Sequence, residues 1–196
     1  MKVYFSLCIL LAQCCWVHIA SAYQLQAINL EQMAQGAGDI FYAQVTKVQK
    51  GSQFVMHGKL PYIQVHFSIK DSLKGTSTSE KIVKLAARKN AKGEYVPLAG
   101  NPHHYVGQEL VAFYTKPSSG MGLSSPIAFQ GLFGIKKTEK SDAFYVYNLV
   151  TKGECFKNLQ NPAVLSLLQS NYSMIELQTT GMIRYKDFKK IVELSQ

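Results

Sequence analysis

Polar and apolar residues alternate most regularly in the segment PYIQVHFSIKDSLKG, which begins at Pro61. In an extended chain, Ile63, Val65 and Phe67 project to one side, whereas His66 projects to the other. This period of two predicts an antiparallel strand with one face on a core and the other toward water. His66 is therefore expected on the face toward water.

An earlier segment, DIFYAQVTKVQKG, is apolar on both sides of an extended chain. Phe41, Ala43 and Val45 share one face, and the β-favouring Ile40 and Tyr42 share the other. The pattern predicts a strand that is at least partly buried on both faces.

Four further short segments have the composition of strands, namely KIVKLAAR, GQELVAFYTK, FQGLFGIKK and DAFYVYNLV. Before the strands, Asn29 and Gln32 form a capping-box signal that opens a short helix. After them, Asn161 and Pro162 open one helix, and RYKDFKKIVELS has the apolar spacing of another. The order predicts a mainly β protein, a small barrel or sandwich of five to six strands with one N-terminal and two C-terminal helices.

The first 22 residues have the pattern of a cleaved secretory signal, with a short apolar run that ends at Ala20-Ser21-Ala22. A lipoprotein signal that ends before Cys14 is the alternative. Removing 22 of the 196 residues leaves 174, enough for one domain with a real core. Lys2 is the one charged residue lost, so the net charge falls from +9 to +8. We expect an exported chain, periplasmic or secreted, with no membrane-spanning segment after the signal.

Cleavage would leave Cys155 as the single cysteine, so no intramolecular disulfide could form. One interpretation of Cys155 is a free thiol or an intermolecular bridge. The other is a small apolar residue of the core, which is the more frequent environment of a free cysteine.

The chain lacks the short motifs of common catalytic and metal sites, including the phosphate-binding glycine loop, the G-x-S-x-G turn and H-E-x-x-H. His103 and His104 are adjacent in NPHHYVG, and neighbouring side chains of an extended chain point apart, which disfavours a shared metal ion. We expect both histidines to lie on a turn. An enzyme centred on them, with Glu109, is the alternative. No cofactor is expected.

The excess of lysine is spread along the chain and interleaved with few aromatic residues suited to stacking on bases. We therefore expect a solvated basic surface and no nucleic-acid partner, while weak attraction to anionic glycans or membrane surfaces stays open.

Three segments in order, DIFYAQVTKV, VHFSIKDSLKG and HHYVGQELVAFYT, resemble the signature of netrin-like domains, which include the tissue inhibitors of metalloproteinases. They are more similar still to a set of bacterial exported proteins in which a Leu-Lys-Gly strand end, here Leu73–Gly75, precedes an aromatic-x-Gly strand, here Tyr105–Phe113. The resemblance covers about residues 28 to 137. It implies an OB-like antiparallel barrel of five to six strands. Those inhibitors use an N-terminal cysteine that is lacking near Tyr23, so inhibition is not implied.

Together these features predict a signal at 1–22, an OB-like domain at 23–150 and a helical extension at 151–196 that packs on the barrel. We expect a non-enzymatic module that recognises a protein or an anionic polymer outside the cytoplasm. Its recognition surface would be the loops LAARKNAKGEYVPLAGNPHHY and TKPSSGMGLSSP, since loops on a rigid scaffold carry recognition; variable connectors are the alternative. A structural component of the cell envelope is a further alternative. The candidate residues of these loops are Arg88, Lys89, Lys92, His103, His104, Tyr105 and Lys116.

Overall fold

The computed structural model describes residues 27–55, 58–75, 78–138 and 141–196. The predicted signal lies outside these residues. The strands are β1 (Asp39–Val55), β2 (Gly58–Lys74), β3 (Glu80–Lys89), β4 (Tyr95–Pro97), β5 (Glu109–Tyr114), β6 (Leu132–Thr138), β7 (Ser141–Asn148) and β8 (Met182–Arg184). The helices are α1 (Leu30–Gly36), α2 (Pro162–Asn171), α3 (Met174–Thr180) and α4 (Tyr185–Leu194).

The eight strands form one sheet in the order β4-β3-β2-β1-β5-β6-β7-β8, and every pair is antiparallel. The protein is mainly β, as predicted, but the eight-strand sheet is not closed, so the prediction of a small closed barrel of five to six strands is wrong. The sequence pattern missed β4 and β8 because each has three residues, too few to show a period of two.

Strand periodicity places residues on the two faces of this sheet as predicted. Phe41 and Val65 are fully buried in a cluster on one face, here called the inner face. Ile40 and Phe113 are fully buried in a second cluster on the outer face, together with residues of the helices. β1 is therefore buried on both sides along its first half.

The predicted helix starts are confirmed. The Asn29 side chain accepts a hydrogen bond from the backbone N–H of Gln32, and the Gln32 side chain accepts one from the backbone N–H of Asn29. Asn161 caps α2, with Pro162 in its first turn. Three helices follow residue 151 where two were expected, because α3 buries just Leu177 and has no clear apolar stripe.

The C-terminal helix α4 anchors the outer face. Phe188 is fully buried, with its ring centre 4.9 Å from that of Phe133 and 5.9 Å from that of Phe113. The helices cover the outer face beside Ile40 and Tyr42, where Tyr185 packs on Tyr42. Within the part of the chain that the structure describes, no helix is both long and apolar enough to cross a membrane.

Candidate functional site

The two loops predicted to carry recognition lie side by side at the edge of β3. The backbone N–H of Ser124 donates to the carbonyl of Lys84 over 2.8 Å. Isolated bridges join Ser124 to Leu85 and Pro126 to Tyr114. Between the loops is a cavity of about 390 Å³, here called the loop groove. Its lining residues are Ala86, Leu98, Ala99, Asn101, Thr115, Lys116, Ser118, Met121, Leu123, Ser124, Ser125 and Phe129.

Three large apolar side chains in the lining of the loop groove are exposed to solvent. Leu98 is 40% exposed, Met121 42% and Phe129 40%. An isolated apolar residue on a protein surface needs no explanation, but several around one concavity are typical of a binding site.

The backbone holds Phe129 in an uncommon conformation. Ala128 has a φ of 45° and Phe129 a φ of 59°, a region that residues other than glycine rarely adopt. The ring lies against Gly100, where an added Cβ would come within 2.6 Å of it. Gly100 itself has a φ of 87°, which only glycine adopts without strain. Such strained positions cluster at functional sites, which supports the assignment of the groove as one.

Asn101 supplies a polar group to the loop groove. Its Nδ2 donates to the carbonyl of Ala86 over 3.1 Å, which fixes the orientation of the amide. Its Oδ1 is buried and has no hydrogen-bond partner among the described residues. A buried acceptor without a donor costs about 1–3 kcal/mol, so a ligand N–H that reached it would be favoured.

The sequence candidates are divided between different surfaces. Lys116 lines the loop groove. Arg88, Lys89 and Lys92 are exposed on β3 and on the turn toward β4, where Lys89 Nζ lies 5.4 Å from the ring centre of Tyr95. Tyr105 is also exposed, beside the turn that precedes β5. One predicted loop residue of this set therefore belongs to the groove.

The two adjacent histidines lie at a second cavity, of about 220 Å³. His103 is exposed, as expected of a turn residue. The ring of His104, the second histidine that was expected on the turn, packs against the inner cluster. Its ring meets Phe67 edge-on at 5.6 Å, its Nδ1 lies 3.0 Å from Gln108 Oε1, and its Nε2 lies 2.9 Å from the hydroxyl of Tyr114.

Burial makes His104 a poor base. It lowers the pKa of the imidazole to about 4; the hydrogen bond to Gln108 opposes this shift and the nearby His103 adds to it. The neutral imidazole has its two nitrogens occupied by neighbours. His104 is therefore a half-buried polar group packed against the inner cluster, and the adjacency of the histidines in sequence gives no indication of this.

Glu109 belongs to the outer side of the sheet, with Tyr42 and two lysines. The Tyr42 hydroxyl donates to Glu109 Oε2 over 2.6 Å, and Lys70 and Lys137 lie 2.7 and 3.1 Å from the carboxylate. Burial raises the pKa of this carboxyl, but hydrogen bonds from Lys70, Tyr42 and Lys137 outweigh it and lower the pKa to about 2. Burial, with the adjacent carboxylate, raises the pKa of Tyr42.

The structure does not bring together the three residues of the enzyme alternative. His104 contacts Phe67 and Tyr114 of the inner cluster, whereas Glu109 contacts Tyr42 of the outer cluster. In the described ranges, no group of three or more potential metal ligands is found.

Cys155 lies inside the outer cluster, fully buried, so the interpretation as a core residue fits and an intermolecular bridge does not. Its thiol donates to the carbonyl of Lys152 over 3.4 Å. Burial raises the pKa of the thiol to about 12, which keeps it protonated and unreactive at neutral pH.

No protein-family model and no curated protein sequence matches this chain. The site is therefore assigned on its own geometry. The cavity lies between the two loops that the sequence analysis selected, and its lining includes Leu98, Asn101 and Phe129, which were not among the candidate residues. The available signal was the presence of large apolar residues, Leu98 and Met121, in loops otherwise rich in glycine, proline and serine.

Proposed function

We propose that this protein is an exported, non-enzymatic binding module that holds an apolar segment of a partner protein in the loop groove. The observation that carries the proposal is the arrangement of Leu98, Met121 and Phe129 around one concavity between two loops. Burial of a large apolar side chain contributes about 1.5–3 kcal/mol, so a partner that covered all three would gain enough to offset part of the cost of association.

Polar groups would orient the partner in the groove. Asn101 Oδ1 is buried without a hydrogen-bond partner among the described residues, and it would accept from an N–H of the partner if binding exposed it. Lys116, exposed in the lining, favours a carboxylate next to the apolar anchor. A few well-placed polar groups within an apolar lining are typical of specific sites.

The architecture that supports the loops is, we further propose, an OB-type, netrin-like arrangement within the larger sheet. Support comes from the pairing of β1 with both β2 and β5, and from the parallel bridge between Leu85 and Ser124. Through that bridge and the one from Tyr114 to Pro126, residues 124–126 connect β3 with the end of β5. A scaffold bridged in this way would hold the groove rigid, which lowers the entropic cost of binding.

Selection of displayed peptides tests the groove. Twelve-residue peptides selected on the immobilised protein are synthesised, and their affinity is measured by fluorescence polarisation. Phe129→Asn removes the ring and keeps a residue that tolerates positive φ. Ile175→Asn removes a smaller but more exposed apolar side chain on α3, 80% against 40%, and is the control outside the groove.

We expect apolar peptides whose affinity falls at least tenfold in Phe129→Asn and is unchanged in Ile175→Asn. Enrichment of no peptide, or peptides that bind both variants equally, would overturn the assignment of the groove. Thermal melting of each variant confirms that it is folded.

A further inference from the structure

A second exposed surface lies on β1, β2 and β3, in the half of the outer face that the helices do not cover. The strand register sets nine residues there in three rows, here called the outer grid. The rows are Lys47–His66–Ile82, Gln49–Gln64–Lys84 and Gly51–Tyr62–Ala86. All nine are exposed or half-buried.

The outer grid holds two cations and no acidic residue. Lys47 and Lys84 take part in none of the described ion pairs. Strand spacing of about 4.8 Å and residue rise of about 3.4 Å put their Cα atoms roughly 12 Å apart on the diagonal. The surrounding segment is also basic, because residues 39–97 contain ten lysines and arginines and four aspartates and glutamates. Such an excess attracts polyanions.

Amide and imidazole groups fill the centre of the outer grid. His66 Nε2 lies 3.0 Å from Gln49 Oε1 and 2.9 Å from Gln64 Nε2. One ring nitrogen cannot donate to Gln49 and accept from Gln64 at the same time. In either tautomer, one of the two amides lacks this bond and can exchange hydrogen bonds with a ligand.

One end of the outer grid opens into a depression of about 270 Å³. The first row, Lys47, His66 and Ile82, forms part of its lining. Lys81 and Glu80 also line it. The Lys81 Nζ lies 2.8 Å from Asp39 and is neutralised, whereas Glu80 is exposed and takes part in none of the described ion pairs. Lys47 is therefore the cation of this depression that the described ion pairs leave for a ligand.

At the other end of the outer grid, the ring of Tyr62 is fixed by its contacts with Gly51 and Lys84. Its ring covers Gly51, where an added Cβ would lie 2.6 Å from Cζ, and Lys84 Nζ lies 5.0 Å from the ring centre. Gly51 and the Lys84 ammonium both contact this ring, so part of it is already covered, whereas binding of single-stranded nucleic acid depends on rings that are free to stack on bases.

We propose that the outer grid binds an acidic polysaccharide. Lys47 and Lys84 pair with carboxylate or sulfate groups on separate sugar rings, and Gln49, Gln64 and His66 exchange hydrogen bonds with the hydroxyls between them. This combination of separated cations and neutral donors and acceptors fits a chain in which charged groups alternate with hydroxyls. The outer grid shares Ala86 with the loop groove, but its charged and amide residues lie outside the groove lining and take a different class of ligand.

The test measures binding of heparin and of polygalacturonate to the full chain by biolayer interferometry, with neutral dextran and single-stranded DNA as comparison probes. The double variant Lys47→Gln/Lys84→Gln removes the grid cations. The double variant Lys136→Gln/Lys186→Gln removes the same charge from exposed lysines of β6 and α4, which the described ion pairs also leave unused. Gln49→Ala/Gln64→Ala changes the amides at constant charge.

We expect the grid-lysine variant to lose at least tenfold in affinity for one or both acidic glycans, and the control to lose less than twofold. The amide variant should lose about threefold or more, a change that general charge attraction would not produce. Equal losses in grid and control variants, or no effect of the amide variant, would overturn the proposal.

Stronger grid-dependent binding of DNA than of either glycan would overturn it in favour of nucleic acid. Phe129→Asn leaves glycan binding unchanged, so this result is independent of the proposed groove.

Discussion

Val65 and His66 are neighbours in β2 whose side chains lie on opposite faces of the sheet, and an aspartate at each position tests that arrangement. Val65 is fully buried among Phe67, Val83 and Leu85 on the inner face. His66 is half-buried on the outer grid. Val65→Asp should unfold most of the protein at neutral pH, whereas His66→Asp should change stability by about 0.5 kcal/mol, as expected of a surface substitution.

The magnitude for Val65→Asp follows from three contributions. Loss of the buried apolar side chain costs about 1.5–3 kcal/mol. The new carboxyl has no described cation next to it, so it folds protonated, which costs about 4 kcal/mol at pH 7 for an ordinary pKa of about 3.9. An unsatisfied buried polar group adds about 1–3 kcal/mol. The sum, about 7–10 kcal/mol, is comparable to the whole stability of a typical domain, about 5–15 kcal/mol.

The pH dependence separates these contributions. Raising the folded-state pKa of the introduced carboxyl makes the loss of stability grow as the pH rises above about 3.9. The protonation cost is about 4 kcal/mol at pH 7 but about 1.5 kcal/mol at pH 5. Val65→Asn has a similar shape and no ionisation, so the difference between Val65→Asp and Val65→Asn should shrink by about 2.5 kcal/mol over that range.

Far-UV circular dichroism without denaturant measures the folded fraction of all three variants at both pH values, and urea denaturation measures the stability of each variant that is folded. Equal midpoints for Val65→Asp and His66→Asp would refute the assigned register of β2. If the difference in unfolding free energy between Val65→Asp and Val65→Asn did not depend on pH, the conclusion that the inner cluster excludes water would be refuted.

Three further outcomes follow. Burial lowers the pKa of His104 from about 6.5 to about 4, so the unfolded chain takes up this proton first. Stability should therefore fall by roughly 3 kcal/mol as the pH drops through that window, and His104→Gln should remove this part of the pH profile in urea titrations. The Cys155 thiol, with its raised pKa and full burial, should resist iodoacetamide in the folded protein and react in denaturant; peptide mass mapping that finds rapid native labelling at 155 would contradict its placement. Exported protein should begin at Tyr23 by intact mass, and a lipid on Cys14 or Cys15 would contradict the proposed processing after Ala22.

Several elements could be predicted from the sequence because they depend on contacts between residues that are close in the chain. The Asn29–Gln32 box and the Asn161-Pro162 start use contacts within three residues, so they form wherever those residues occur in order. The alternation around Val65 fixed which side chains of β2 face the core, because a strand has a strict period of two.

Other features depended on residues far apart in sequence. His104 contacts Phe67 and Tyr114 of the inner cluster. The presence of two adjacent histidines in the sequence does not predict these contacts. The loop groove needs residue 129 to reach Gly100 through a turn with two positive φ angles, which no periodicity reveals.

The sequence by itself determined the mainly β character, the two faces of β1 and β2 and the starts of α1 and α2, because short-range hydrogen bonds and side-chain periodicity govern them. The tertiary structure decided the eight-strand sheet, the separation of Glu109 from His104 on opposite faces, and the three rows of the outer grid. These depend on strand register and on chain segments that meet across long separations, where the energy comes from packing between surfaces and not from any local run of residues.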